Sequence, residues 1–175
     1  DTDGSVVEVT HNVEKPNGIA LSPDQKTLYV VDHNNGTDAI GASDEKPTHG
    51  AMKIYAFPLG ADGLVKGDRK TLIDYGHEAS ADGICIDAAG NLYLTSRSLK
   101  RPGVQVVNPK GKEIAFIATG PENQDPEGTP KGLPSNVEFG IGNELSTLYL
   151  TVGVSLYRIK LKAQGFHIPF FDEDT

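Results

Sequence analysis

The sequence predicts an all-β protein built from about three four-stranded antiparallel modules. One pattern occurs three times: a short alternating apolar strand, a polar turn, and a second strand that begins with Leu-Tyr. Further short β-runs follow each copy and are separated by turn residues. Nothing in the chain has the periodicity of a long amphipathic helix. Repetition of a four-stranded meander predicts the blades of a β-propeller.

The spacing of the three copies supports blades of unequal length. The first two copies lie 65 positions apart (17 to 82) and the last two 54 apart (82 to 136). The difference falls mainly in a polar loop at 34–50. The copies are PNGIALSPDQKTLYVVD from Pro16, ADGICIDAAGNLYLTSR from Ala81 and SNVEFGIGNELSTLYLTVG from Ser135.

The chain therefore divides into blades that begin at the repeated motifs. The first two blades have a candidate fourth strand, whereas the third shows no clear one. A β-like run near the start of the chain is interpreted as the outer strand of a preceding blade. The predicted units are residues 1–15 for that outer strand, 16–80 for a blade with a long loop insertion, 81–134 for a second blade, and 135–175 for a third blade with a C-terminal tail.

Three blades do not close a ring. An open arc presents unpaired strand edges and apolar blade faces to water, an arrangement that natural proteins avoid. We therefore expect this chain to pack against a companion half-propeller chain or a second copy of itself.

Composition narrows the classes of partner. The formal net charge of −8 and the pI near 5.0 give no general attraction to nucleic acid or to anionic lipid. No apolar stretch approaches the roughly 20 residues that a spanning helix needs. The single cysteine, Cys85, lies between two isoleucines and is interpreted as a small buried hydrophobic residue. The chain starts at Asp1 without an apolar signal segment, so a periplasmic or secreted location and a cytoplasmic one both stay open.

Three motifs carry a family resemblance. Pro16-Asn17-Gly18-Ile19, Asp82-Gly83-Ile84-Cys85-Ile86-Asp87 and Asn136-Val137-Glu138-Phe139-Gly140 each open the first strand of a blade. An isolated Asn-Gly or Asp-Gly pair is a common turn signal. Three such motifs in order, each followed by its Leu-Tyr strand, are more specific, and the chain resembles the gluconolactonase/regucalcin (senescence marker protein) family. That resemblance implies the C-terminal half of a six-bladed propeller lactonase.

The resemblance also implies a calcium-class ion in the central channel. It assigns two of the ion's ligands to this chain, Asn17 and Asp82, and two others, a glutamate and an asparagine, to sequence that the chain does not contain. Amide and carboxylate oxygens are the ligands that Ca²⁺ prefers, although the ion takes six to eight of them. The alternative interpretation of both residues is a turn residue before a glycine.

Lactone hydrolysis needs a Lewis acid to polarise the carbonyl group and a base to deprotonate water. The resemblance gives the first role to the metal ion and the second to Asp82. A carboxylate bound tightly to calcium is a weaker base, so two alternatives stay open: loose coordination by Asp82, or direct activation of water by the ion.

Four further residues are candidates for substrate binding. Asn136 occupies the place of Asp82 in the third blade, where the alternative is a structural hydrogen-bonding role near the channel. Glu138 lies on the same side of a regular strand. His77 precedes the Asp82 motif on a predicted channel-mouth loop, where the alternative is a solvated histidine. Arg97 and Arg101 flank the second Leu-Tyr strand and could bind an anionic sugar acid, the alternative being exposed salt bridges; Arg101 is retained as the candidate. His33, which follows the second strand of the first blade, and His49, which ends the long loop, are possible residues of the pocket rim.

The sequence predicts a metal-dependent hydrolase of sugar lactones or related cyclic esters, with a small-molecule lactone as its substrate and Ca²⁺ or another hard divalent cation as its cofactor. Hydrolysis of phosphotriesters is a minor alternative within the same class of enzyme. The second hypothesis is a propeller fragment without catalytic activity that serves as a binding or structural module, because propellers carry many unrelated functions.

Overall fold

The chain folds into three antiparallel sheets that follow one another in sequence. A computed structural model describes residues 4–36, 49–119 and 132–168. These ranges contain eleven strands and one short 3-10 helix, Gly142–Glu144. The all-β prediction is confirmed, and the three sheets correspond to the three predicted blades. No helix in the described ranges is both long and apolar enough to cross a membrane.

The first two sheets are four-stranded meanders in which each strand pairs with the next. The first contains β1 Pro16–Leu21, β2 Thr27–His33, β3 Met52–Pro58 and β4 Lys70–Asp74. The second contains β5 Ala81–Ile86, β6 Leu92–Ser96, β7 Gly103–Val107 and β8 Glu113–Ala118.

The third sheet has three strands within the described residues, in the order β9-β10-β11. They are β9 Pro134–Phe139, β10 Thr147–Val152 and β11 Ser155–Lys160. Residues 5–13 carry no strand, so the outer strand expected near the start of the chain stays a prediction, as do the exact blade boundaries. Most of the predicted loop insertion, residues 37–48, lies outside the described part of the chain.

The middle sheet is buried on both faces because it lies between the other two. One face places Leu92 and Leu94 against Tyr29, Val31 and Ile54 of the first sheet. The opposite face packs against the third sheet, through residues that alternate with the first set along the strands. The second group contains Cys85, Tyr93, Val104, Val106, Val137, Phe139, Leu148 and Leu150.

Successive residues of β5 and β6 face the first and the third blade in turn. This explains why the sequences of both strands are nearly continuous apolar runs. Ile84 and Ile86 face the first blade, whereas Cys85 faces the third. Tyr93 and Phe139 meet edge to face with their ring centroids 4.9 Å apart, a favourable aromatic geometry across the blade boundary. Cys85 is 4% exposed, as expected, and burial raises the pKa of its thiol well above the ordinary value.

Glycines allow the inner strands of neighbouring blades to approach closely. A Cβ atom on Gly18 would lie 2.5 Å from the carbonyl oxygen of Asp82. One on Gly83 would lie 2.7 Å from the Cα of Asn136 and 3.0 Å from the carbonyl oxygen of Ser135. Backbone atoms cannot turn away as a flexible side chain can, so both positions require glycine for this spacing. The two turn-like glycines of the repeated motifs therefore set the distance between blades.

The segment after the third blade joins it to the second. The Ala88 amide donates to the Gln164 carbonyl at 2.8 Å, and the Phe166 amide donates to the Ile86 carbonyl at 3.0 Å. Between these two bonds, the Gly165 amide donates to the Leu145 carbonyl at 2.8 Å. These backbone bonds connect the second and third blades.

We predict that Leu94→Ala lowers the free energy of unfolding by about 2–5 kcal/mol, because Leu94 is fully buried between the first two blades. Leu99→Ala is the matched control. Its side chain is 60% exposed, and the expected change is within about 0.5 kcal/mol. Urea unfolding followed by circular dichroism measures both, and equal losses would contradict this packing.

We also predict that Gly83→Asn costs about 1–3 kcal/mol, because the new Cβ overlaps the backbone of the third blade. Gly63→Asn is the control: its φ is +73°, nothing lies within 4 Å of its Cβ position, and asparagine tolerates this conformation. Thermal unfolding of both variants tests the assignment. Unchanged stability in Gly83→Asn would mean that the blades do not approach at this point.

Candidate functional site

The starts of the inner strands β1 and β5 place Asn17 beside Asp82. The Nδ2 atom of Asn17 donates to Oδ1 of Asp82 at 3.3 Å, although 65 positions separate the two residues in sequence. Asn17 is exposed and the Asp82 side chain is 22% exposed, so both polar groups reach solvent. The two residues assigned to the ion by family resemblance are therefore neighbours across a blade boundary.

Two cationic or potentially cationic side chains also approach the Asp82 carboxylate. Nε of Arg97 lies 3.2 Å from Oδ2, and Nδ1 of His33 lies 3.5 Å from Oδ1. A second guanidinium nitrogen of Arg97 donates to the Pro134 carbonyl at 3.3 Å, which ties this arginine to the third blade. The carboxylate is thus contacted from the first blade and from within its own blade.

His33 and Arg97 occupy equivalent positions in the repeat. Each lies four residues after the tyrosine of its Leu-Tyr strand, Tyr29 or Tyr93. Because β2 and β6 pair with β1 and β5 in the same way, their ends reach the level at which the inner strands begin. Counting from each Leu-Tyr pair is therefore a sequence signal for both residues.

Threonines hold the backbone at the start of two inner strands. Oγ1 of Thr95 accepts hydrogen bonds from the amides of Asp82 and Gly83, at 3.1 and 2.9 Å. Oγ1 of Thr151 accepts from the amide of Asn136 at 2.8 Å. The shared bond supports the predicted equivalence of Asn136 and Asp82. The β5 backbone is irregular here, since its register with β6 shifts between Ala81 and Ile84, and Thr95 binds the two amides within that irregular segment.

Three of the four residues predicted to bind substrate, Asn136, Glu138 and His77, lie in different places. Asn136 is exposed, and its Oδ1 would lie 2.6 Å from a Cβ on Gly83, so it adjoins the Asp82 region. Glu138 lines a cavity of about 290 Å³ together with apolar side chains of the inner strands β1 and β5, among them Ile19 and Cys85. His77 is exposed in the turn that follows β4.

Arg101 is held away from Asp82 by its own partners. Its guanidinium makes two hydrogen bonds to the Glu113 carboxylate, at 2.7 and 2.9 Å, and lies 3.8 Å from the centre of the Phe116 ring. The hydrogen bonds from Arg101 lower the pKa of Glu113. Of the two arginines considered from sequence, the structure brings Arg97 to the candidate site and ties Arg101 to the outer strand β8. A substrate role for Arg101 stays a prediction without support from this placement.

A second cavity opens beside His33 and Arg97, the two side chains that contact the Asp82 carboxylate. It measures about 420 Å³. Glu78 and Lys100, which both line it, form an ion pair at 2.9 Å. The lining residues are His33, Glu78, Ala79, Arg97, Ser98, Leu99, Lys100 and Leu133. Its polar members converge from the ends of β2 and β6, so the cavity adjoins the groups that contact Asp82.

The residues present fit part of a site for a hard divalent cation. The Asp82 carboxylate and the Asn17 amide supply oxygen atoms of the type that calcium prefers, from adjacent strand starts. Within the described ranges, no group of three or more His, Cys, Asp or Glu side chains could hold a metal ion. Any such ion would therefore need oxygen ligands beyond these two.

The known proteins that are similar to this chain include a gluconolactonase and a lactonase. Gluconolactonase of Zymomonas mobilis is 26% identical over 169 residues, which cover 93% of this chain and 39% of the relative. Lactonase drp35 of Staphylococcus saprophyticus is 32% identical over 116 residues, covering 65% of this chain and 30% of the relative. The chain thus spans between about a third and two fifths of the curated relatives it matches.

The fold is shared with solved propellers. The crystal structure of the calcium-binding protein regucalcin from Agrobacterium tumefaciens matches with a TM-score of 0.66 and 21% identity, over 95% of this chain and 52% of regucalcin. The family model described as the SMP-30/gluconolactonase/LRE-like region matches residues 1–154. The chain belongs to the SMP-30/gluconolactonase/LRE-like family.

Proposed function

We propose that this protein is a metal-dependent hydrolase of sugar lactones or related cyclic esters, with calcium or another hard divalent cation as its cofactor. The observation that carries the proposal is the meeting of the Asp82 carboxylate with the Asn17 amide across the first two blades. Relatives described as gluconolactonase and lactonase support the reaction class. Regucalcin, described as a calcium-binding protein, supports the choice of cation.

Asn17 and Asp82 would hold the ion through their side-chain oxygens. When bound, a divalent cation polarises the lactone carbonyl and stabilises the negative charge that develops on its oxygen. Arg97 and His33 contact the same carboxylate, so an ion that binds there must compete with the 3.2 Å ion pair between Arg97 and Asp82.

Asp82 is also the residue proposed to accept the proton of the attacking water. Its side chain is partly exposed, and two of its contacts, His33 and Arg97, line the 420 Å³ cavity. Removal of the proton raises the nucleophilicity of the water oxygen, which adds to the carbonyl carbon. The bond between that carbon and the ring oxygen then breaks, and the ring oxygen takes the proton from Asp82, which leaves a hydroxy acid. A carboxylate that serves as both ligand and base requires that one of its oxygens be free of the ion.

The cavity beside Asp82 is the proposed lactone site. Its volume of about 420 Å³ falls within the roughly 300–1,000 Å³ range of small-molecule pockets. Arg97 and Lys100 supply hydrogen-bond donors for ring oxygens or hydroxyl groups, whereas Ala79 and Leu133 supply apolar contacts. Asn136 lies close enough to this region to contribute. His77 and Glu138 remain candidates on the basis of the sequence alone.

A companion half-propeller chain or a second copy would complete the ring. Ile19 of the first inner strand is 64% exposed, and all six residues of β11 are exposed. Leu156 and Tyr157 of that strand are 70% and 43% exposed. Edge strands that expose apolar side chains are normally covered by another element or by a partner. The same partner would supply the remaining oxygen ligands of the ion.

The second candidate is a binding or structural module without catalysis. The observation that favours it is the Arg97–Asp82 ion pair, which balances the carboxylate charge without any ion. The two candidates differ in whether calcium binds at Asn17 and Asp82.

We predict that Asp82→Asn slows calcium-dependent lactone hydrolysis by about 10²–10⁴, because a general base is lost, while the fold is kept. Asn17→Ala should instead weaken calcium binding more than it slows the reaction at saturating calcium. Both comparisons are made in the complete propeller, with lactone turnover measured by pH-stat and unfolding by calorimetry. Normal turnover by Asp82→Asn at limiting calcium would end the case for this site.

We predict that Arg97→Met strengthens calcium binding about two- to fivefold, since a partly exposed ion pair that competes with the ion contributes roughly 0–1 kcal/mol. Arg101→Met is the control, because its guanidinium pairs with Glu113 and should leave calcium affinity unchanged. Isothermal titration calorimetry measures both. A stronger effect from Arg101→Met than from Arg97→Met would contradict the placement of the two arginines.

We predict that the folded chain associates through its exposed end blades. Analytical ultracentrifugation should find a species larger than the 18.7 kDa monomer, and intact mass then distinguishes a second polypeptide from a second copy. A stable, folded monomer of 18.7 kDa with no partner would count against association.

A further inference from the structure

A buried polar cluster links the end of the first blade's second strand to the start of the second blade's inner strand. Ser80 is fully buried and His33 is 8% exposed. Ser80 Oγ donates to the Asp32 carbonyl at 2.8 Å and lies 3.2 Å from Nδ1 of His33. The same Nδ1 lies 3.0 Å from the Ala81 carbonyl oxygen. The cluster therefore ends at the residue directly before Asp82.

The neighbours of Nδ1 determine which histidine tautomer fits this cluster. The Ala81 carbonyl can only accept a hydrogen bond, and the Ser80 hydroxyl hydrogen is directed at Asp32. The third neighbour, the Asp82 carboxylate oxygen at 3.5 Å, also attracts a donor. All three neighbours thus favour a hydrogen on Nδ1. The histidine ring is held as an Nδ1–H donor toward Ala81, with the Asp82 carboxylate at the edge of the same N–H.

We propose that His33 is a positioning residue for Asp82. It belongs to the first blade, together with Asn17, and it holds the Ala81–Asp82 backbone of the second blade through the Nδ1–H bond to the Ala81 carbonyl. Thr95 fixes the other side of the same segment through the amides of Asp82 and Gly83. The orientation of the Asp82 carboxylate beside Asn17 depends on both contacts. This inference rests on the proposed function only where it concerns metal binding.

Two substitutions remove the imidazole ring and differ in whether a hydrogen-bond donor is kept at the position of Nδ1. In His33→Asn the amide nitrogen lies as many bonds from the backbone as Nδ1, so the donor to Ala81 is kept. In His33→Gln the amide nitrogen lies one bond farther out, as Nε2 does, and the donor is lost. His167→Leu is the control: Nε2 of His167 bonds the Gly140 carbonyl at 3.1 Å, in the third blade.

The first measurement needs no metal ion. Long-range ¹H–¹⁵N spectra of the complete propeller should show His33 protonated at Nδ1 in its neutral form. Amide hydrogen exchange at Asp82 and Gly83 should be faster in His33→Gln than in wild type, and unchanged in His33→Asn and His167→Leu. An Nε2–H tautomer, or equal protection of these amides in all variants, would overturn the positioning role.

The second measurement is calcium affinity by titration calorimetry. Loss of a group that orients a metal ligand typically weakens binding about 10- to 100-fold, which is the expectation for His33→Gln. His33→Asn and His167→Leu should bind as wild type does. Equal weakening in Asn and Gln variants, or none in either, would overturn the inference. If wild type binds no calcium, the proposed function fails, and the exchange data alone decide the role of His33.

Discussion

The close approach of neighbouring inner strands is the constraint on which the rest of this structure depends. Gly18 meets the backbone of Asp82, and Gly83 meets the backbone of Asn136, at distances that no side chain permits. This spacing brings the apolar faces of the three blades into contact, so that they form buried clusters. It also places Asn17, the residue before Gly18, beside its counterpart Asp82 in the next blade. Packing and site geometry therefore have one cause.

The middle blade contributes both to the packing of the core and to the geometry of the site. Its two faces are buried by the first and third blades, so β5 can move little relative to either. A carboxylate at the start of such a strand is held in position by the core below it. Hydrogen bonds from the Asp82 and Gly83 amides to Thr95 add local rigidity, and buried polar groups of this kind are stable because each is paired.

Charge distribution distinguishes the neighbourhood of Asp82 from the rest of an acidic protein. Around this carboxylate lie an amide, an imidazole and a guanidinium, each from a different strand end. Arginine suits the position because its guanidinium can contact Asp82 and the Pro134 carbonyl together.

Much of the fold could be predicted from the repeat. Three Leu-Tyr motifs, their spacing and the period-2 alternation were sufficient for the all-β class, the blade order and the burial of Cys85, because these depend on local pattern. Within the described residues β11 is the last strand of the third sheet, so the absence of a fourth strand there stays a prediction.

The sequence by itself determined the strands, the three inner-strand motifs and, through family resemblance, Asn17 and Asp82 as the residues of interest. Only the tertiary structure decided that Arg97 rather than Arg101 reaches Asp82, and that His33 joins them. Both arginines flank the same strand, and the sequence separates them only through the repeat position that Arg97 shares with His33, four residues after the tyrosine of a Leu-Tyr pair. Their roles differ because Glu113 and Phe116 of β8 hold Arg101, whereas Asp82 of the paired strand β5 and the Pro134 carbonyl of the third blade hold Arg97. Contacts between residues distant in sequence depend on how the blades stack, which no local pattern specifies.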